Sequence, residues 1–181
     1  MDKIDLKIEE QLANIVLNWD QRSTNGEDFD LDLMIFLLDK ENKIISNDHF
    51  IFFNNNHSGC KSVVLEKQSD NGFGLDDEKV KINFINLQED IFYIDALVSI
   101  HQENGVCKNF GQIKNSSIKV ENRKKHILYE QNLSEELSKF NFAKLRFKKE
   151  NNSCWTLDYL SPIESDSLKE IIENYGVKVK K

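Results

Sequence analysis

Proline is nearly absent from this sequence, at one residue in 181, and glycine is sparse at seven, which excludes collagen-like and proline-rich low-complexity chains. Cysteine is also scarce. Cys60, Cys107 and Cys154 are odd in number, widely separated and without a C-x-x-C pair, so neither a disulfide framework nor a zinc or redox motif is expected, and the thiols are read as free in a reducing cytoplasm. No apolar run approaches the roughly 18 residues that read as a membrane-spanning helix. The opening MDKIDLKIEE has no apolar signal core, so neither secretion nor membrane insertion is expected. Positive charge is in deficit: 24 Lys and Arg against 31 Asp and Glu give a net charge of −7, and the average surface repels nucleic acid and anionic lipid. Nucleic acid is therefore not an expected partner. The short basic runs at Arg123, Lys124 and Lys125 and at Lys178, Lys180 and Lys181 read as solvated turns or tails.

Hydrophobic residues at 39% and twelve phenylalanines, by contrast, suffice to build a core. With no repeat, linker or low-complexity tract, residues 1–181 are expected to form one domain. Ile15, Leu17 and Trp19 alternate into a polar turn, and further short strands are expected at 50–53, 62–66, 80–84, 92–101, 117–120 and 126–130, with a late hairpin over 142–159. Many short strands joined by loops rich in Asn, Asp, Ser and Gly predict a mainly β, two-layer β-sandwich. Leu168, Ile171, Ile172 and Tyr175 repeat at helical spacing between Ser167 and Gly176, which predicts a C-terminal helix, and a short helical turn is expected over 134–139. Trp19 and Trp155 are expected in the core, and His49 and His57 in solvent.

The most informative segment is the alternation of Asp28, Asp30 and Asp32 with Phe29, Leu31 and Leu33, the period of a half-buried strand whose aspartates share one face. Such neighbours stand roughly 6.5–7 Å apart at Cβ. At an effective dielectric near 20, each adjacent pair costs about 2–3 kcal/mol. Residues 27–38 contain no cation to offset this, so a bound cation is the economical answer. A second acidic group, Asp70, Asn71, Asp76, Asp77 and Glu78, surrounds Gly72 and Gly74. Calcium takes six to eight oxygen ligands from such mixed carboxylate and amide sets, whereas zinc or iron would call for His or Cys within the cluster. An EF-hand is excluded because Leu33 occupies the sixth position, where that loop needs Gly, and Asp39 the twelfth. A merely hydrated strand face over 28–32 remains the alternative.

These residues carry a resemblance to a known family. Asn18-Trp19-Asp20, Arg22-Ser23-Thr24 with Gly26, and Asp28-Phe29-Asp30-Leu31-Asp32 resemble, in register, the signatures of the TerD family of tellurium-resistance and stress-response proteins. Phe50 to Asn54, Asp76-Asp77-Glu78, Ile100-His101, Phe110-Gly111-Gln112 and Tyr175-Gly176-Val177 resemble its later motifs in the same order. The resemblance implies a β-sandwich, calcium held by acidic loops with Asn54 added to the ligand set, and partners among other proteins of a stress or tellurium-resistance system. The chain departs from the family pattern at Cys60, where Asp is usual. No catalytic group is evident and no enzyme is expected. A metal-dependent hydrolase or a calcium-dependent, lectin-like module using the same carboxylates are the competing functions.

Overall fold

The computed structural model describes residues 4–6, 11–20, 30–67, 75–101, 108–151, 154–165 and 167–179. The strands are β1 (Ile4–Leu6), β2 (Leu12–Asp20), β3 (Leu31–Leu38), β4 (Phe50–Ile51), β5 (Val63–Lys67), β6 (Leu75–Asn83), β7 (Tyr93–Ile100), β8 (Ser117–Asn122), β9 (Ile127–Asn132), β10 (Phe142–Asn151), β11 (Cys154–Leu157) and β12 (Ser161–Pro162). Among the described residues there are also two α-helices, α1 (Leu133–Glu136) and α2 (Leu168–Asn174), and three short 3-10 turns at Asn47–His49, Phe84–Asn86 and Phe110–Gln112. The strands form two antiparallel sheets. One has the order β1-β11-β10-β7-β3-β4 with β12 against β10, and the other the order β5-β6-β2-β8-β9.

Alternation explains the packing between the sheets. On β2 the burial of Ala13, Ile15, Leu17 and Trp19 alternates with half-exposed neighbours, as a strand with one wet face requires. These side chains meet Leu31, Leu33, Ile35 and Leu37 of β3, Val80 and Ile82 of β6, and Leu145, Phe147 and Trp155 from the facing sheet. Strand β3 differs, because it is apolar on both faces. Its even residues Met34, Phe36 and Leu38 lie in a second core with Leu97, Phe142, Ile171 and Tyr175 beneath α2. Rings stack outward from Tyr175 on Phe36 (4.1 Å), Phe36 on Phe50 (4.7 Å) and Phe50 on Phe52 (4.5 Å).

Helix α2 starts where Ser167 Oγ accepts the Glu170 N–H at 3.3 Å and stops at Gly176, whose φ of +91° suits a residue without Cβ. Gly111 serves a different need: a Cβ there would stand 2.8 Å from the Ser138 carbonyl oxygen. Sequence periodicity sees none of what pins α2 to its sheet. Asp95 of β7 is fully buried, accepting from Arg146 Nε at 2.6 Å, Arg146 Nη2 at 2.7 Å and Tyr175 Oη at 2.8 Å. Burial, then the Asp95 charge and hydrogen bond, push the Tyr175 hydroxyl far up from its ordinary range, so it remains a donor.

Element ends shift in detail. Strand β3 begins at Leu31, the expected start at Asp28 lying outside the described residues; the strand expected over 80–84 begins at Leu75, so Asp76, Asp77 and Glu78 are on β6; the strand expected over 50–53 ends at Ile51, because Phe52 and Asn55 exchange backbone hydrogen bonds in a turn; and the helical turn expected over 134–139 is Leu133–Glu136. His49 is not in solvent: it is 7% exposed, with Nδ1 on Ser46 Oγ at 2.9 Å and Nε2 on Gln88 Oε1 at 2.6 Å, whereas His57 is exposed as expected.

Asp95→Asn leaves the partly buried Arg146, its side chain 21% exposed, without its counter-charge, and a loss of about 1.5–3 kcal/mol is expected. Tyr175→Phe removes one hydrogen bond to a charged group and should cost about 1.5–3 kcal/mol. Urea unfolding measures both, and unchanged midpoints would show that the buried pair does not hold α2.

Candidate functional site

The register of the strands decides which polar residues meet. In the five-stranded sheet Asn18 faces Asp77 and Trp19 faces Asp76 across β2 and β6, while Asn18 faces Ser117 on β8. In the other sheet Leu31 faces Ile100 and Asp32 faces Ser99 across β3 and β7. A cross-sheet contact joins these ends. Glu78, in the inward series with Val80 and Ile82, is 6% exposed and accepts the Leu33 N–H through Oε2 at 2.6 Å. Strand β4 pairs only with Ile35 and Phe36 on that side of β3, so a carboxylate takes the donor that a longer β4 would have taken.

Asp30 is exposed immediately before β3, and its carbonyl oxygen accepts the His101 N–H at 2.8 Å, extending the ladder one bond past the strand. Asp32 Oδ2 lies 3.7 Å from His101 Nδ1, its side chain 19% exposed and the histidine's 54%. Across from Asp32, the Ser99 hydroxyl is buried with no hydrogen-bond partner among the described residues. Asp20 closes the other side of this end, accepting from Asn115 Nδ2 at 2.7 Å.

The fold thus brings Asp30, Asp32 and Glu78, together with the backbone positions of Asp76 and Asp77, to one end of the sandwich. Asn54 is exposed in the turn beyond Ile51, where the chain continues toward the Leu33 end of β3. Asp28, Asp70 and Asn71 lie outside the described residues. Among the described residues no three His, Cys, Asp or Glu side chains form a metal-holding group. The donors present are nevertheless hard oxygens, and the Ser99 hydroxyl across from Asp32 is a buried oxygen without a partner among the described residues. That composition fits calcium.

Cys60 contributes no hard oxygen. It is exposed on a cleft it shares with Asp48, His49, Ser58 and Ser62, and its sulfur lies 2.9 Å from Ser62 Oγ. Partial burial works against the thiolate, yet hydrogen bonds from Ser62 and Ser58 hold the thiol below its ordinary range. Sequence reading missed two structural groups, buried Asp95 and buried His49. A lone Asp within the apolar run 92–100 was the available signal for the first.

Comparison with known proteins places this arrangement. The family profile described as TerD domain matches residues 2–175. General stress protein 16U of Bacillus subtilis (strain 168) is 32% identical over 183 residues, spanning 98% of this chain and 95% of that protein. Tellurium resistance protein TerD of Alcaligenes sp is 38% identical over 107 residues, 59% of this chain and 56% of that protein. The crystal structure of a homologue of telluride resistance protein (TerD), SCO6318 from Streptomyces coelicolor A3(2), superposes with a TM-score of 0.71, covering 88% of this chain and 94% of that one at 18% identity, which establishes a shared fold.

The Glu78 contact makes a prediction independent of metal. Glu78→Ala strands the Leu33 N–H between the sheets and should cost the metal-free protein about 1–3 kcal/mol, with faster hydrogen exchange at Leu33. Glu78→Gln keeps an acceptor and should leave both nearly unchanged. Equal stability of the Ala and Gln variants would remove the carboxylate from its bridging role.

Proposed function

The chain belongs to the TerD family, and from that premise we propose that it is a calcium-binding stress-response protein of the tellurium-resistance type, acting through partner proteins in the cytoplasm. The observation that carries this reading is that Asp30 and Asp32, at the start of β3, and Glu78 with the backbone of Asp76 and Asp77, at the start of β6, lie at the same end of the sandwich. Asp28, Asn54, Asp70 and Asn71 complete the proposed ligand set. Bound calcium supplies positive charge that relieves carboxylate repulsion and links segments of the two sheets.

The chain's own residues set the terms of binding. Glu78 is already fixed by the Leu33 N–H, so it offers a preoriented carboxylate at little further entropic cost. Asp32 is held beside His101, its Oδ2 3.7 Å from the histidine Nδ1. The names of the relatives, a general stress protein and tellurium resistance proteins, support a role in stress defence. We propose a binding role and not catalysis. No described helix is long and apolar enough to cross a membrane.

With free calcium at about one hundred times the dissociation constant, one site adds about 2.7 kcal/mol of stability, and the melting midpoint should rise by several degrees. Asp30→Asn keeps the side-chain shape, removes its charge, and should abolish most of that rise while costing the metal-free protein little. Melting both proteins with excess chelator and with millimolar calcium checks this. Equal calcium-induced shifts would leave the aspartate row as hydrated surface, and no saturable heat on titrating calcium into stripped protein would defeat the proposal.

A further inference from the structure

The β8–β9 hairpin is unlike the rest of this acidic chain. Arg123, Lys124 and Lys125 occupy its turn in succession, followed by His126, and all four are exposed. The turn is built rather than loose. Asn122 Oδ1 accepts the N–H groups of Lys124 and His126, both at 2.9 Å, and Lys125 adopts a φ of 62°. Directly after the cations, Ile127 is 52% and Leu128 40% exposed. Tyr159, 41% exposed, sets its ring 6.0 Å from that of Tyr129, the residue after Leu128. A tip of consecutive cations bordered by protruding aliphatic and tyrosine side chains has the composition of an interfacial anchor.

The net charge of −7 does not forbid an anionic partner here, because charge acts locally in salt. Asn122 pairs with Ala13 and Ser117 with Asn18, so the turn and the carboxylate end lie at opposite ends of β2. Nine residues of strand separate charges by about 26 Å, against a screening length of about 8 Å at physiological ionic strength. Among the described residues, Glu130 is 3.2 Å from Lys119, and Glu121 and Asp158 are the carboxylates closest in sequence to the turn and to Tyr159.

An added strand is the poorer fit to this surface. The β8–β9 pairing shifts register between Val120 and Glu121, which bulges the edge at Leu128. Farther along β9 the Leu160 N–H donates to Tyr129 Oη at 2.9 Å, which brings the 158–160 segment alongside that strand. A bulged and flanked edge disfavours β-augmentation, whereas protruding aliphatic and aromatic side chains suit a fluid surface. We propose that the β8–β9 hairpin docks on an anionic lipid bilayer, with Arg123, Lys124 and Lys125 at the headgroups and Ile127, Leu128 and Tyr159 entering the interface.

The test is co-sedimentation of the full chain, in chelator and at low ionic strength, with vesicles of phosphatidylcholine containing phosphatidylglycerol and with vesicles of phosphatidylcholine alone. Chelator keeps calcium from bridging carboxylates to lipid, so the outcome is independent of the metal proposal. Binding should need phosphatidylglycerol, should fall about ten-fold or more when Arg123, Lys124 and Lys125 are all changed to Glu, and should fall several-fold in Ile127→Ser/Leu128→Ser. All five side chains are exposed, so melting midpoints should be unchanged; if the Glu set lowers the midpoint, the three Gln substitutions replace it. Absence of binding to phosphatidylglycerol vesicles, or binding that survives the charge changes, overturns the proposal. So does binding that ignores the aliphatic changes and is displaced by polyglutamate, which would assign the hairpin to an acidic polypeptide.

Discussion

Strand β3 is covered on both faces, and much of the molecule is arranged to keep it so. Its odd residues close the space between the sheets, and its even residues require a second roof of Phe50, Ile171 and Tyr175. A doubly buried strand leaves little tolerance for unpaired backbone, since an orphaned donor inside the protein costs about as much as a lost hydrogen bond. The brevity of β4 creates that problem at Leu33, and Glu78 answers it from the opposite sheet. A carboxylate drawn into the gap for a structural reason then stands at the end where Asp30 and Asp32 arrive. Fold and candidate metal site therefore share a residue.

The same strand explains the C-terminal helix. An eight-residue strand with seven buried residues cannot border water on one face, and a short amphipathic helix supplies the missing cover. Seven helical residues are too few to be stable alone. Packing on the aromatic stack and the Tyr175 to Asp95 hydrogen bond hold them, and Arg146 makes the buried carboxylate tolerable. Charge is thus used in two ways: paired and dry at Asp95, clustered and partly wet at the opposite end of β7 near His101.

Local pattern carried much of this. Alternation in β2, the Ser167 cap and the αL glycine at 176 are one-dimensional signals, and the sandwich and helix follow from them. Element ends were less legible because they depend on partners: β3 starts at Leu31 where its neighbour β7 runs out at Ile100, and β4 stops at a turn that Asn55 stabilises by donating to the Phe50 carbonyl. Contacts between distant segments left no local trace. Asp95 and Arg146 are 51 positions apart, and Leu33 and Glu78 are 45 apart. Of the acidic residues singled out from sequence, Asp32 and the Asp76 to Glu78 backbone share an end of the sandwich because β3 and β6 both begin there, while His49 is buried by a Gln88 partner that loop composition does not reveal.

The central claim is that oxygens from both sheets meet around a calcium ion at this end of the sandwich. The most direct measurement is an anomalous difference map from crystals grown with calcium. The account requires a peak bounded by carboxylates of the β3 start and the β6 start, at about 2.3–2.6 Å from their oxygens. A map without a peak there, or with calcium only at sites remote from Asp30, Asp32 and Glu78, would contradict it.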